Sequence, residues 1–131
     1  MNSKRMEKDQ SKKSKCIDLA YLKHRTKSNP KLMIEMISLY LDQTTPLIRA
    51  MKQGLQDKDC DLLNSAVHKM IPSFSIMGIS PDFENMAKKV QDLTSQKEFT
   101  DEIQDLVIQL EDICTQACEE SEEELKIIKK L

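Results

Sequence analysis

The chain has 131 residues, which is enough for one domain with its own hydrophobic core. It is 39% hydrophobic and 32% charged but has only 2 Gly, 3 Phe, 2 Tyr and no Trp, so its composition favours helices over a sheet. The net charge of −2 favours neither nucleic acid nor a membrane surface as a partner, and no apolar run approaches the roughly 20 residues of a membrane span.

Residues 1–15 carry six Lys and Arg against two acidic residues and almost no apolar side chains. This pattern predicts a flexible basic lead-in or an interdomain linker. The segment lacks the apolar region of a secretory signal, so a cytoplasmic location is expected. Residues 16–131 then form the folded domain.

A short helix is predicted over residues 16–25. The next helix is predicted over residues 29–43, because Asn29 is a good N-cap and Pro30 is favoured at the first helical position. Its apolar residues recur at helical spacing.

Thr45 and Pro46 repeat the same cap pair, which predicts that a separate helix starts there and covers residues 45–59. Another helix is predicted over residues 59–77, where apolar residues recur in steps of three and four. Pro72 lies inside that helix, so by this interpretation it is the one proline that does not mark a helix start.

Ser80 and Pro81 use the cap pair again and predict a helix over residues 80–95, and a last helix starts near Thr100. Residues 119–131 form an acidic run and a basic-apolar end. They extend the last helix, for example through a Glu122–Lys126 pair, or fray as a charged tail. No stretch alternates with period two, so the sequence predicts an all-α fold: an antiparallel four-helix bundle with a short extra N-terminal helix.

The cysteine spacing matches no metal-binding pattern, so no metal site is expected. Cytoplasmic thiols are normally reduced, and these four are interpreted as core or surface thiols. They are Cys16, Cys60, Cys114 and Cys118.

His68 is predicted to lie on the outer face of its helix, about 150° from the mean direction of the apolar side chains. The residues that share this face are small, and a neutral exposed imidazole is a competent nucleophile. Pro72 removes an N–H, which frees the carbonyl of His68 and bends the helix. A functionally silent surface histidine is the alternative from geometry alone. The small neighbours are Ser65, Pro72 and Ser75.

The stretch AVHKMIPSFSIMGI, residues 66–79, resembles the signature of the histidine-containing phosphotransfer (HPt) domains of bacterial phosphorelays. That signature reads Ala-x-His-Lys-(Leu/Met)-Lys-(Gly/Pro)-(Ser/Thr), with a Gly ten residues after the histidine. The resemblance covers roughly residues 16–95. One departure is Ile71, which occupies the place of the family's Lys or Arg. The matching residues are Ala66, His68, Lys69, Met70, Pro72, Ser73 and Gly78.

The resemblance implies a phosphorelay carrier without kinase activity of its own. His68 would accept a phosphoryl group from the aspartate of a response-regulator receiver domain, which brings its own Mg²⁺, and pass it to another receiver. The chain would be free-standing or the C-terminal part of a hybrid sensor kinase. The implied phosphate-supporting residues are Lys69 and Ser73, with Lys88 and Lys89 as substitutes for the missing cation, and the implied docking face consists of Ser65, Ile71, Pro72, Ser75 and Gly78.

The alternative of another class is a degenerate HPt domain that binds receivers or other signalling domains without transferring phosphate. The absence of the usual cation at Ile71 favours this alternative, and the other matching residues favour transfer.

Overall fold

The computed structural model describes residues 14–131, and within that range it contains five helices and no strand. The all-α class predicted from composition and periodicity is confirmed. None of the five helices combines the length and the apolar character that a membrane crossing requires. The helices are α1 (Ala20–Thr26), α2 (Pro30–Asp57), α3 (Cys60–Ile76), α4 (Pro81–Thr94) and α5 (Asp101–Lys129).

The four longer helices form the predicted antiparallel bundle. Helix α2 packs against α3 and α5, and α4 also packs against α3 and α5, so the four helices enclose one core. The connections between them span two to six residues, and such short connections make successive helices antiparallel. Helix α1 packs against α2 as the expected short extra helix.

The helix starts follow from local capping. A side-chain oxygen at each of the four starts accepts an N–H of the first turn, which satisfies a group that has no partner within the helix. Two of these starts also carry the predicted proline at the first position. The N–H groups that donate to the cap side chains are those of Leu32 to Asn29 (3.0 Å), Leu62 to Asp59 (3.0 Å), Asp82 to Ser80 (3.2 Å) and Ile103 to Thr100 (3.2 Å).

The prediction of a helix start at Thr45 and Pro46 is wrong, because α2 runs unbroken through both residues. Thr44 is only 2% exposed and Ile48 only 9%, so burial on both sides of the proline holds the chain helical. Packing therefore outweighs the local cap signal. Pro46, like Pro72, is a proline inside a helix.

The C-terminal residues continue α5 instead of fraying, and the helix ends only at Lys129. Ser121 is fully buried within the acidic run. Lys126 pairs with Glu123 at 3.7 Å, not with Glu122 as the sequence suggested.

The N-terminal segment lies against this part of α5. Glu120 accepts the N–H groups of Cys16 at 2.9 Å and Ile17 at 3.1 Å, and Lys15 pairs with Glu124 at 2.8 Å. These backbone groups bond to α5 and not to a helix of their own, so α1 begins at Ala20 and not at residue 16. Most of the basic lead-in predicted over residues 1–15 lies outside the described residues.

The core consists mainly of aliphatic side chains and methionines, with Phe74, Tyr40 and two cysteines. Each large aliphatic, Met or Phe side chain contributes roughly 1.5–3 kcal/mol by burial. Gly54 lets α2 approach α3 closely, since a Cβ at that position would lie 2.6 Å from Cδ2 of Leu63. The largest fully buried side chains include Phe74, Leu22, Ile37, Met51 and Leu63.

Gly78 lies just after the end of α3 and packs against the N-terminal segment. It has a φ of +68°, and a Cβ there would overlap the backbone of Asp18. The N–H of Asp18 donates to the carbonyl of Met77 at 2.9 Å, which fixes this close approach. Both the backbone angle and the space therefore require glycine.

We expect Gly78→Ala to lower the free energy of unfolding by about 1–3 kcal/mol, because the new methyl group meets backbone and the positive φ is strained. Chemical denaturation measures this. Ser75→Ala, at an exposed position of the preceding helix, is the control and should change the free energy by less than about 0.5 kcal/mol. Equal stability of Gly78→Ala and the wild-type chain would contradict this account of Gly78.

Candidate functional site

His68 lies in the middle of α3 with its side chain exposed, as the helical pattern predicted. Ser65, Pro72 and Ser75 on the same helix are exposed as well. None of these side chains is long enough to cover the ring. A group from another molecule therefore has access to the imidazole from this side.

One ring nitrogen of His68 is held by a residue that the sequence analysis did not select. The amide nitrogen of Gln91 in α4 lies 2.9 Å from Nδ1 of His68. A side-chain amide pairs with Nδ1 in either orientation: its nitrogen donates to an unprotonated Nδ1, or its oxygen accepts the proton of Nδ1–H. In the second arrangement Nε2 keeps a free lone pair, which is the state a nucleophilic imidazole needs.

Gln91 is itself fixed by a contact between α3 and α4. The side-chain amide of Asn64 donates to the backbone carbonyl of Gln91 and to Oγ1 of Thr94, both at 3.0 Å. Thr94 is fully buried, and its hydroxyl donates to the carbonyl of Val90 at 2.7 Å. Asn64 lies one turn before His68 on α3. The same stretch of α3 therefore carries the imidazole and bonds to α4, whose Gln91 contacts the ring.

On its other side His68 borders a groove between α2 and α3, with a volume of about 510 Å³. Both in-helix prolines lie on its walls. The residues that line it are Asp42, Gln43, Pro46 and Leu47 of α2 and His68, Lys69 and Pro72 of α3.

Cationic side chains lie on both helices of the contact between α3 and α4. Lys69 is exposed and lines the groove beside His68. Lys88 lies three residues before Gln91, which places it on the neighbouring turn of the same side of α4. It pairs with Glu84 at 3.2 Å, and it is still more than half exposed.

The structure does not bring three of the predicted residues to His68. Lys89 pairs at 2.8 Å with Glu102 of α5 and therefore extends away from α3. The hydroxyl of half-buried Ser73 donates to the carbonyl of Met70 at 2.7 Å, within its own helix. Gly78 lies beyond the end of α3 and packs against the N-terminal segment.

Ile71 is half-buried and packs against the edge of the core. It occupies the position where the resembled signature has a cation. The structure therefore has an apolar contact at this position, on the border between the core and the exposed face.

The four cysteines are free, and all are buried or half-buried. Burial raises the pKa of the Cys16 thiol to about 12 and that of Cys118 to about 11. Burial also raises the pKa of Cys114, whose sulfur lies 3.0 Å from that of Met70. Thiols with such pKa values are protonated at neutral pH and make poor nucleophiles. The sequence predicted core or surface thiols, and two of the four, Cys60 and Cys114, lie in the core.

Comparison of the chain with protein-family models, with curated proteins and with solved structures finds no match. The sequence resemblance and the geometry around His68 are therefore the features that bear on function.

We expect the contact with Gln91 to appear in the ring-nitrogen spectrum of His68. In ¹H–¹⁵N correlation spectra at pH 8, Gln91→Met should move the His68 nitrogens toward the values of His24, because methionine has a similar length but cannot pair with Nδ1. His24 is exposed and serves as the reference in the same sample.

Gln96→Met is the matched control, since Gln96 lies in the exposed connection after α4. It should leave the His68 nitrogens unchanged. If His68 and His24 already coincide in the wild-type spectrum, Gln91 does not hold the ring in solution.

Proposed function

We propose that this chain is a phosphohistidine carrier of the HPt type. It takes a phosphoryl group on His68 from the aspartate of a receiver domain and passes the group to a second receiver. The observation that carries the proposal is an exposed imidazole whose Nδ1 is paired with Gln91, within a stretch of sequence that resembles the HPt signature.

In the proposed step, Nε2 of the neutral ring attacks the phosphorus of the phosphoaspartate. The new bond joins phosphorus to Nε2, and the bond between phosphorus and the carboxyl oxygen breaks, so that the aspartate leaves as a carboxylate. For this step the Gln91 amide is turned about its Cγ–Cδ bond, so that its oxygen and not its nitrogen faces Nδ1. The oxygen then accepts the Nδ1 proton, which stays in place. The positive charge that develops on the ring is thus stabilised without a proton transfer.

The chain contributes little charge of its own to this reaction. Lys69 borders the same groove as His68, and Lys88 lies one turn from Gln91, whereas phosphoryl transfer requires substantial charge neutralisation. In the proposal the receiver domain supplies Mg²⁺ and most of the electrostatic stabilisation. The partners are then receiver domains in the cytoplasm, either as separate proteins or within one hybrid sensor kinase.

We expect His68→Gln to abolish labelling by a receiver domain that carries radioactive phosphate, with an unchanged helical circular dichroism spectrum. Labelling should be acid-labile and alkali-stable, as a phosphohistidine is. The matched control is His24→Gln, which removes the other histidine of the chain and should label like the wild type. Labelling that persists in His68→Gln would contradict the assignment of His68.

A second candidate function is receiver binding without transfer, and Ile71 is the observation that favours it. The cation of the resembled signature is absent, and an apolar, half-buried side chain takes its place. Under this alternative a phosphorylated receiver binds the chain and no phosphate reaches His68.

We expect Ile71→Lys to leave the transfer rate within about twofold or to lower it, because the isoleucine supplies apolar contact and the receiver supplies the charge. Rapid-quench measurement of the single-turnover transfer rate tests this. Ile71→Leu keeps the apolar contact and should match the wild type. A several-fold acceleration in Ile71→Lys would show instead that the missing cation limits the wild-type chain.

A further inference from the structure

The two prolines inside helices lie on opposite walls of the groove beside His68. Pro46 belongs to α2 and Pro72 to α3, and both line the same depression. A proline in a helix interior destabilises the helix by roughly 3 kcal/mol. Two such residues facing each other at one site suggest a role for what they do to the backbone.

Each proline removes the N–H that would pair with the carbonyl four residues earlier. Pro46 deprives the carbonyl of Asp42 of its helical donor, and Pro72 does the same to the carbonyl of His68. In an α-helix the carbonyl of residue i points toward residue i+4, and the side chains of these two residues lie on the same face of the helix. All four residues line the groove, so each carbonyl that loses its helical donor belongs to a residue of the groove wall.

The other polar groups of the groove make it a place for a hydrogen-bond donor. The carboxylate of Asp42 is exposed at its edge, and this residue is the acid among the groove-lining residues. Lys69 is the cation of the opposite wall, and Arg49 of α2 lines a second depression, between α2 and α5, which Asp42 and Pro46 also border. The α2 side of the groove therefore combines a negative charge with one carbonyl acceptor, and the α3 side adds the other acceptor.

We propose that this groove binds a basic side chain, an arginine or lysine, that the docking receiver presents to it. Its N–H groups donate to the free carbonyls of Asp42 and His68, and its charge is balanced by the Asp42 carboxylate. This inference rests on the proposed carrier function, because the partner is the receiver that exchanges phosphate with His68. It gives the two prolines one common role: they keep two backbone acceptors available at the edge of the phosphorylation site.

The test replaces each proline with alanine, which restores the N–H and thus occupies the carbonyl. Alanine is smaller than proline, so access to His68 stays open. The probe is a receiver domain that labels the wild-type chain, held in its phosphorylated form by beryllium fluoride, with binding measured by calorimetry. We expect Pro46→Ala and Pro72→Ala each to weaken binding about five- to tenfold and to raise the midpoint of thermal unfolding.

Pro30→Ala and Pro81→Ala are the matched controls. Both prolines occupy the first position of a helix, where no helical hydrogen bond is lost. These variants should bind the receiver as the wild type does. Asp42→Asn should also weaken binding and reduce its dependence on salt, because it removes the charge that faces the basic side chain.

The outcomes separate this inference from the carrier function. If the receiver labels the wild type and binds Pro46→Ala and Pro72→Ala with unchanged affinity, the carrier function stands. The proposal that the groove binds a basic side chain is then wrong. If no receiver domain labels or binds the wild-type chain, both are wrong. Weaker binding in all four proline variants would also overturn the inference, since the effect would then not depend on the carbonyls.

Discussion

The contact between α3 and α4 around Asn64, His68 and Gln91 is the constraint on which the site depends. Asn64 holds the backbone of Gln91 and the buried hydroxyl of Thr94, and the Gln91 side chain in turn reaches Nδ1 of the imidazole. An exposed histidine on an isolated helix would have neither a defined ring orientation nor a defined tautomer. Here the packing of two helices supplies a defined ring orientation, so that the bundle core and the imidazole are parts of one arrangement.

A second property of the site is that it is built at some cost to helix stability. The prolines at 46 and 72 interrupt the hydrogen bonding of two long helices at the same level of the bundle. Helix α2 nevertheless continues through Pro46, because Thr44 and Ile48 are buried on either side of it. The stability comes from the core, and the unfavourable residues are confined to the exposed face where His68 lies. This division is expected where a surface has to stay open for a partner.

The sequence was sufficient for features that depend on local patterns. The caps at Asn29 and Ser80, the all-α class and the exposure of His68 follow from residue type and from helical spacing within one segment. Pro46 was misjudged because its cap signal is local, whereas the burial that overrides it involves other helices. Gln91 was missed for a related reason: it lies 23 residues from His68 on another helix, and no spacing rule connects the two. Gly78 was assigned to the docking face, and only the structure shows its contact with Asp18.

The charge distribution around His68 follows a consistent logic if the partner brings the catalytic charge. A carrier that both accepts and donates the phosphoryl group gains nothing from binding it strongly, because a strongly stabilised phosphohistidine would be slow to react onward. Lys88 is already paired with Glu84, and Ile71 provides contact area where a cation would have stabilised the phosphorylated state. In the proposed carrier, a weakly charged surface would keep the transfer close to reversible. Recognition then has to come from groups beside the ring, and the groove between α2 and α3 borders it directly.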